Sequence, residues 1–381
     1  MFGDTDPASA GHTDSVKEGE TVRPFTDAER EVAFFSKSVW KRALIVFAGP
    51  AINFLFAILL LFGMYAYQGQ PITEPKASGI IVGSAADRAG FQPHDQVLSI
   101  DGKKINRFED IRRVVMVALD TPLSFNVLRD GQEVTLNAIP EKQELTDRFG
   151  FTHSRGMLGI VGPGDGLAIK NITQVADHIV STPEEIRDAL SHHMGQETVI
   201  KIGEGEKADQ YRSSPMAHLN EGLKSADTQS RQANALVLSD VEGKTYLKHG
   251  IGNGIKAAVG ETWRISEMTL KALGQMFTGT RSATELGGII RIGAIAGDMA
   301  QAGLLALVTF TALLSINLGL INLFPIPMLD GGHLMFYAME VIKGKPVSEK
   351  VQEYAFRFGF TVLIGMMLFA NLNDLFQLFT R

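Results

Sequence analysis

Cysteine is absent from the 381-residue chain, which excludes a disulfide framework and any thiolate metal site. A metal ion would have to be held by His, Asp or Glu. The first twenty residues have neither a basic start nor an apolar stretch, so the sequence as given carries no secretory signal. A net charge of −6 provides no basic surface for nucleic acid, and we expect no nucleic-acid partner.

Long runs without charge point to a membrane. The chain is 45% hydrophobic and 20% charged, too long for one small domain and locally too apolar to be wholly soluble. Residues 43–67 and 302–329 contain no charged side chain, and each run is long enough for a helix across about 30 Å of hydrocarbon. A third membrane helix is expected over 354–373, with the charged end of Arg357 reaching back toward water.

Basic residues predict which ends of the spans face the cytoplasm. They flank the first span and crowd the stretch between the second and third, as Lys37, Lys41, Arg42, Lys343, Lys345, Lys350 and Arg357. By the positive-inside rule the segment 1–42 and the loop 330–353 are cytoplasmic, and the middle region lies outside. Asp330 is then expected near the cytoplasmic face.

Polar residues and prolines inside the spans need protein or water beside them. Pro50 and Asn53 interrupt the first run, and Asn317, Asn322 and Pro325 lie in the second. Because lipid cannot bind the polar groups they expose, we expect them to face other helices or a water-filled cavity. Hydrogen bonding between helices is the simpler structural explanation. Pro325 and the proline that follows it predict that the second helix ends just before them.

Residues 77–161 have the pattern of a small β-rich domain. Asp101-Gly102 and Asp130-Gly131 are strong hairpin signals, and apolar positions at helical spacing predict a helix over 107–119. "SAADRAGFQPHDQVLSIDGKKI" and the helix after it resemble a circularly permuted PDZ domain of bacterial envelope proteases. The resemblance implies that this domain captures a peptide C-terminus as an added strand.

The short stretch "GMLGI" resembles the strand and loop with which PDZ domains bind a peptide carboxylate. Its residues are Gly156, Met157, Leu158, Gly159 and Ile160. An ordinary buried strand end is the alternative. Residues 162–254 are expected to be a second, partial PDZ-like unit or a flexible insert, with a helix and a strand in "STPEEIRDALSHHMGQETVIKI". Within them the polar stretch 203–232 is expected to be a flexible connection. Residues 255–301 are expected to form an amphipathic, membrane-associated segment.

The stretch "NLGLINLFPIPMLDGGHL" resembles the third transmembrane helix of the site-2 proteases, intramembrane zinc metalloproteases, and is similar to their regulator of sigma-E protease branch. "AGPAINF" in the first span resembles the Gly-Pro-x-x-Asn of their second helix. The resemblance implies that Asp330 ligates Zn2+, and that Asn322 and Pro325 help to hold a transmembrane protein substrate. It also implies a bacterial inner-membrane location, in contact with lipid, with the PDZ-like domain periplasmic.

The histidine motif of that family is missing. None of the nine histidines is followed by Glu, and no two are four residues apart, so His-Glu-x-x-His cannot supply the other two ligands and no catalytic residue can be assigned. His333 follows Asp330 by three residues, but one His and one Asp make a weak site. "MFGD" resembles the end of a stretch that follows the histidine helix, so we expect that helix ahead of Met1.

The expected fold is therefore a multi-pass α-helical membrane protein with an inserted extracytoplasmic PDZ-like α+β domain. Two functions are compatible with the sequence. The first is an intramembrane zinc endopeptidase for single-span, anti-sigma-factor-like substrates, catalytically incomplete in the chain as given. The second is a non-catalytic, membrane-anchored protein that binds peptides through its PDZ-like domain.

Overall fold

The computed structural model describes residues 15–18, 21–24, 26, 33–163, 166–203, 205, 208–224, 235–238 and 245–379. Helices in these ranges are α1 Val39–Tyr67, α2 Ala85–Arg88, α3 Phe108–Val117, α4 Pro183–His192, α5 Ile251–Phe277, α6 Ile289–Ala302, α7 Leu304–Asn322, α8 Asp330–Lys343 and α9 Glu349–Phe379. Strands are β1 Ser15–Glu18, β2 Thr21–Pro24, β3 Gln70–Ile72, β4 Gly79–Ile81, β5 Gln96–Ile100, β6 Lys103–Lys104, β7 Leu123–Arg129, β8 Gln132–Ala138, β9 Glu141–Thr146, β10 Thr152–Met157, β11 Ile160–Val161, β12 Gly166–Ala168, β13 Ile172–Val175, β14 His178–Ile179, β15 Thr198–Ile202, β16 Asp209–Ser213, β17 Ala235–Val237 and β18 Thr245–Leu247.

Three of the described helices are long and apolar enough to cross a membrane: α1, α7 and the stretch Lys350–Phe379 of α9. They lie where the uncharged runs predict spans. α1 packs against α5 and α7 through a core made of Ala57, Leu61, Tyr65, Ala258, Ala312 and Ile316. Small side chains in this core bring the helix axes close together, as is usual in membrane bundles. The N-terminal stretch Met1–Asp4, which resembles a family segment, lies outside the described residues.

The second span is a broken helix. α7 ends at Asn322, an irregular segment 323–329 follows, and α8 begins at Asp330 and continues to Lys343. The first half of the loop expected over 330–353 is therefore a helix. It is helical because good helix formers follow Gly331 and Gly332. Gly344, with φ of 66°, ends the helix. The Lys343 end of α8 is fixed to the start of α1, since Arg42 Nη2 lies 2.6 Å from Glu340 Oε1.

The first β-rich unit has the strand, helix and hairpin order that its turns predict. Its four strands are ordered β6-β5-β7-β8, and all neighbouring pairs are antiparallel. Asp101 and Gly102 have φ of 49° and 74°, and Asp130 and Gly131 have φ of 48° and 81°. Two consecutive residues with positive φ are typical of type I′ hairpin turns. α3 covers this sheet, and the two enclose a single apolar core.

A six-stranded sheet joins this unit to a second one. Its order is β11-β4-β16-β15-β13-β14, and the helix α4 and the strand β15 occur where the sequence predicts a helix followed by a strand. A capping box from Thr182 to Glu185 starts α4. The polar stretch 203–232, expected as a flexible connection, instead contributes β16 to the interior of this sheet. Its Tyr211 packs against a separate apolar core, and Ser213 is buried, which explains why a polar strand is ordered.

A buried cluster of charges fixes the first unit to α5. The Glu261 carboxylate of α5 accepts hydrogen bonds from Arg113 and, at 2.7 Å, from Arg107 Nη2, both close to or on α3. Arg264 donates to the same carboxylate at 2.8 Å, and Arg107 also pairs with Asp110 at 3.1 Å. Burial raises the pKa of Glu261, but the charges of Arg113 and Arg107 and hydrogen bonds from Arg264 and Arg107 outweigh it and lower the pKa to about 2.

A second set of contacts fixes β10 to the helices α6 and α9. Thr152 N donates to Gln377 Oε1 at 3.0 Å, and the Arg291 guanidinium lies 4.5 Å from the ring centroid of Phe151. Arg291 in turn pairs with the fully buried Asp374 of α9, whose carboxylate also accepts the Gly288 backbone N–H at 2.8 Å. The β-rich unit is therefore attached to the bundle on two sides.

Replacing Glu261 with Gln is expected to destabilise the protein by about 3–5 kcal/mol at neutral pH, because the buried arginines lose their counter-charge. Since the folded-state pKa of Glu261 lies below its ordinary value, its stabilisation is complete above about pH 4.5 and is lost as the pH falls toward 2. The difference between wild type and Glu261→Gln should shrink over that range. Thermal unfolding in detergent at several pH values measures it.

Glu267→Gln is the matched control for this prediction. Glu267 lies on the same helix and pairs with Lys103 at 2.7 Å, but both side chains are exposed. Exposed pairs contribute about 0–1 kcal/mol, so this change should be nearly neutral. Equal effects of the two substitutions would contradict a special role for the buried cluster.

Candidate functional site: an acid at a broken membrane helix

Asp330 lies beside the apolar part of the first span, α1. A Cβ built on Gly49 of α1 would be 2.9 Å from Asp330 Oδ2, so the carboxylate packs directly against that glycine. Gly49 is six residues beyond Ala43, the start of the uncharged run, which corresponds to about 9 Å along the helix. The carboxylate therefore lies beside the uncharged run of α1, about one and a half turns past its first residue.

Glycines enclose the irregular segment that precedes Asp330. A Cβ on Gly331 would overlap the carbonyl oxygens of Leu323 and Phe324, and one on Gly332 would overlap that of Ile326. From the other side, Gly359 of α9 packs against the Pro327 carbonyl just as closely. Irregular backbone is tolerated in an apolar layer only where protein or water covers it. Here α1, α8 and α9 provide that cover.

The other polar residues of the spans face neighbouring helices. Asn53 and Pro50 meet Gly319 of α7, where a built Cβ would be 3.2 Å from both Asn53 Cβ and the Pro50 carbonyl oxygen. Ser315 Oγ donates to the Asn53 carbonyl at 2.9 Å, and Thr269 Oγ1 of α5 donates to Asn317 Oδ1 at 3.0 Å. The Gly-Pro-x-x-Asn stretch is thus packed against the helix that ends at the acid.

Asn322 and Pro325, predicted to hold substrate, flank the end of α7. Asn322 is the last residue of that helix and is half-buried, and Pro325 lies in the irregular segment and is exposed. Met328, further along the segment, has an unusual positive φ of 86°. Exposed, irregular backbone one turn from a carboxylate is an arrangement that can contact an unwound peptide. Substrate binding by Asn322 and Pro325 stays a prediction.

The described residues do not complete a zinc site. Within the part of the chain that the structure describes, no three His, Asp or Glu side chains lie close enough to share a metal ion. His333 occupies the first turn of α8 beside Asp330, and its ring centroid lies 5.2 Å from that of Phe356. A catalytic zinc needs three protein ligands, so Asp330 and His333 alone do not fit it. The position of Asp330 at a helix N-terminus is also electrostatically favourable without metal.

A groove lies between α3 and the "GMLGI" stretch. It has a volume of about 370 Å³, and residues 156–160 form one wall while Ile111, Val115 and Met116 of α3 contribute to the other. β11 pairs with β4 on one side and is the end strand of the six-stranded sheet. An end strand has unpaired backbone groups that can accept a further strand. The residues expected to bind a peptide therefore line an edge beside a groove.

Two glycines allow the walls of this groove to come into close contact, because they have no side chain. A Cβ on Gly156 would overlap the carbonyl oxygens of Val115 and Ala118, and one on Gly162 would overlap the ring of Phe108. The wall formed by α3 thus contacts the other wall at both ends. Gly159 has φ of 92°, and its carbonyl accepts the Ile81 N–H at 2.8 Å, which fixes the loop between β10 and β11.

The charged cluster around Glu261 is the feature that sequence reasoning missed. Arg107 and Glu261 are separated by 154 residues, and neither belongs to a recognisable motif. The available signal was weak: an acid in the middle of the apolar stretch "AAVGETWRI" of an amphipathic helix.

These features define a membrane protein in which a carboxylate lies within the apolar layer and a groove-bearing β-rich unit is attached to the helices. The model of Peptidase family M50 matches residues 10–366, and the chain belongs to this family, that of the site-2 proteases. The resemblance drawn from the sequence is confirmed.

Relatives agree with this assignment. A protein of Rhizobium meliloti named as a zinc metalloprotease is 32% identical over 379 residues, covering 100% of this chain and 80% of the relative. A protein of Haemophilus influenzae named regulator of sigma E protease is 33% identical over 372 residues, covering 92% of this chain and 82% of the relative. The chain thus spans about four fifths of the length of these two relatives.

Substituting Gly359 by Ala is expected to lower the unfolding temperature, because the added methyl group overlaps the Pro327 backbone and cannot be relieved by a side-chain rotation. Overpacking of this kind costs about 1–3 kcal/mol. Gly365→Ala on the same helix is the control, since a Cβ there meets nothing within 4 Å, and alanine favours helix by about 1 kcal/mol. Thermal unfolding in detergent compares the two. If Gly359→Ala proves as stable as Gly365→Ala, α9 does not pack on the irregular segment as described.

Proposed function

We propose that this chain forms the acid-bearing part of an intramembrane zinc endopeptidase that cleaves single-span, anti-sigma-factor-like proteins. The observation that carries the proposal is the position of Asp330, about 9 Å inside the apolar run, at the point where a membrane helix is broken. Burying a carboxylate at this depth is costly and usually functional. Relatives are named as a zinc metalloprotease and as regulator of sigma E protease, which supports both the metal and the substrate class.

In this proposal Asp330 is one ligand of the metal, and the described residues hold the substrate. A helical substrate must unwind before its backbone can react. The exposed Pro325 and the irregular segment around it lie next to Asp330 and offer backbone groups to an unwound strand. Asn322, at the end of α7, contributes a side-chain amide at the same place. His-Glu-x-x-His does not occur in the sequence and no three-ligand cluster occurs among the described residues, so we infer that the 381-residue chain is catalytically incomplete.

The groove of the β-rich unit binds the substrate outside the membrane. We assign it to the C-terminus of a peptide, added as a strand to β11 in the manner of a PDZ domain. The positive-inside rule puts this unit on the side opposite the cytoplasm, and the family resemblance implies that the protein lies in the bacterial inner membrane with the unit in the periplasm. Each groove wall is attached to a different part of the bundle: α3 to α5 through Glu261, and β10 to α6 and α9 through Phe151 and Thr152. A ligand that moves the two walls apart would therefore pull α5 away from α6 and α9.

The second candidate is a non-catalytic membrane protein that presents the groove to envelope peptides. The absence of His-Glu-x-x-His from the sequence and of a three-ligand cluster from the described residues favours it. The two candidates share the groove and differ in whether Asp330 is needed for cleavage.

Cleavage of a model transmembrane substrate distinguishes the candidates. The gene is expressed with whatever in-frame codons precede Met1, and also as the 381-residue chain. We expect the longer product to cleave and Asp330→Asn to reduce cleavage at least about 100-fold, because losing even a group that orients a metal ligand typically costs about 10–100-fold. Glu353→Gln, which removes an exposed acid of α9 that pairs with Arg357 one turn along the helix, should leave cleavage within a few-fold.

Zinc content gives an independent measure. The 381-residue chain should bind far less than one zinc per molecule, because one carboxylate cannot hold it. Cleavage that is absent from both products, or that survives Asp330→Asn, would overturn the protease proposal in favour of the peptide-binding one. Stoichiometric zinc in the 381-residue chain would contradict its incompleteness.

Filling the groove should abolish peptide binding. Met116 is a partly exposed side chain of α3 that lines the groove, and Met116→Trp is expected to weaken binding of C-terminal peptides by at least about tenfold, since the ring occupies the place of a peptide side chain. Ile139→Trp alters a similarly exposed apolar residue of the same unit that does not line the groove. Fluorescence polarisation against a library of C-terminal peptides measures both. Equal binding by the two variants would argue against the groove as the peptide site.

A further inference from the structure

The groove between α3 and residues 156–160 carries positive charge and no negative charge. Two arginines line it, Arg112 of α3 and Arg155 of β10, and the other described residues of its lining include neither Asp nor Glu. Arg112 is exposed and Arg155 is half-buried, so solvent reaches both side chains. Arg155 forms no ion pair within the part of the chain that the structure describes. The groove therefore attracts a ligand that carries negative charge.

The loop between β10 and β11 offers backbone N–H groups to such a ligand. The Leu158 carbonyl accepts a hydrogen bond from Ala86 N at 2.7 Å, and the Gly159 carbonyl accepts one from Ile81 N at 2.8 Å. In a trans peptide the N–H of the following residue points the opposite way from the carbonyl. The N–H groups of Gly159 and Ile160 therefore point away from α2 and β4, toward the groove. With the β10 arginine beside them, they suit the carboxylate of a peptide C-terminus.

The second arginine lies one helical turn further along the groove. The loop is next to the last turn of α3, because a Cβ on Gly156 would overlap the Val115 carbonyl oxygen. Arg112 precedes Met116 by four residues, which corresponds to about 6 Å along α3. Its Cζ is 5.8 Å from the ring centroid of Phe108, a turn further from the loop. The two positive charges are therefore distributed along the groove and do not share one place.

This spacing matches that of an extended peptide. Two residues of a strand span about 6.6 Å, and their side chains point to the same face. When the last residue of a bound peptide lies beside Met116 and the loop, the third residue from its end faces Arg112. The side chain of the second residue from the end points out of the groove. A terminal carboxylate provides one negative charge, so a second must come from a side chain that faces Arg112.

We propose that the groove selects peptides in which the third residue from the C-terminus is Asp or Glu. The terminal carboxylate binds at the loop beside Arg155, and the acidic side chain pairs with Arg112. This inference rests on the proposed binding of a peptide C-terminus and adds the class of peptide to it. A substrate recognised through this groove ends in an acidic residue followed by two others.

The test uses synthetic peptides with one sequence and a C-terminal valine. They carry Glu, Gln or Lys at the third position from the end, and a fourth peptide carries the Glu at the second position. Fluorescence polarisation measures their binding to the 381-residue protein in detergent. We expect the Glu peptide to bind about three to ten times more tightly than the Gln peptide, and the Lys peptide to bind least tightly. The peptide with the displaced Glu should stay within about twofold of the Gln peptide, since that side chain faces solvent.

Three variants assign the charges. Arg112→Gln should remove the preference for Glu over Gln and leave binding of the Gln peptide unchanged. Arg155→Gln should weaken all four peptides by a similar factor and keep the preference. Lys170→Gln removes the same charge from an exposed position outside the groove, and it should bind every peptide as wild type does. The thermal midpoint of each variant without peptide checks that it is folded.

The possible failures are distinct. If the Glu and Gln peptides bind with equal affinity, the charge selection is wrong and the groove remains a peptide site. A preference that survives Arg112→Gln would also overturn the inference, because the acid would then be recognised elsewhere. If no peptide with a free C-terminus binds at all, both this inference and the proposed peptide binding are overturned.

Discussion

The carboxylate of Glu261 is the interaction on which the arrangement of this protein depends. It is 5% exposed and accepts hydrogen bonds from three arginines, two of which belong to the β-rich unit. Removing two or more charges from water is expensive, and the cost is recovered only when each charge has partners in good geometry. The cluster therefore forms only when α3 lies on α5 in one orientation. Apolar contacts alone would allow the unit to slide on the bundle, whereas the fork of each guanidinium allows little movement.

Three glycines lie where two segments of the protein must come into close contact. Gly49 admits the Asp330 carboxylate, Gly359 admits the Pro327 backbone, and Gly156 admits the end of α3. Each of these positions brings a polar backbone or acid against another segment without a side chain between them. Such close packing of backbone matters more in an apolar layer than in water, because a carbonyl exposed to lipid finds no hydrogen-bond donor there. A broken helix can persist here because α8 and α9 pack closely on parts of it, while Pro325 stays exposed.

Local features of this structure could be predicted from sequence, and long-range pairings could not. The two hairpins follow from Asp-Gly pairs whose positive φ values few other residues adopt, and the spans follow from missing charge. The acid was found through its motif, but its depth depends on Gly49, some 280 residues earlier in the chain. β16 looked like a linker because its polar composition hides a buried Ser213 and a half-buried Tyr211. The sequence predicts a loop where α8 lies because the basic residues near its end dominate the pattern.

The helix α5 connects the groove wall α3 with the helices that surround Asp330. Glu261 connects it to α3, a wall of the groove, and Thr269, eight residues on, connects it to Asn317 of α7. Asn317 is two residues from Gly319, which packs on Pro50 and Asn53, and Pro50 adjoins the glycine that contacts Asp330. Each step in this series is either a contact between side chains or backbones or a short stretch of one helix. Because helices and packed glycine contacts deform little, a displacement of α3 cannot be absorbed at a flexible joint between these groups. The groove wall α3 and the helix α1 beside Asp330 are therefore connected through α5 and α7 by packed and hydrogen-bonded residues.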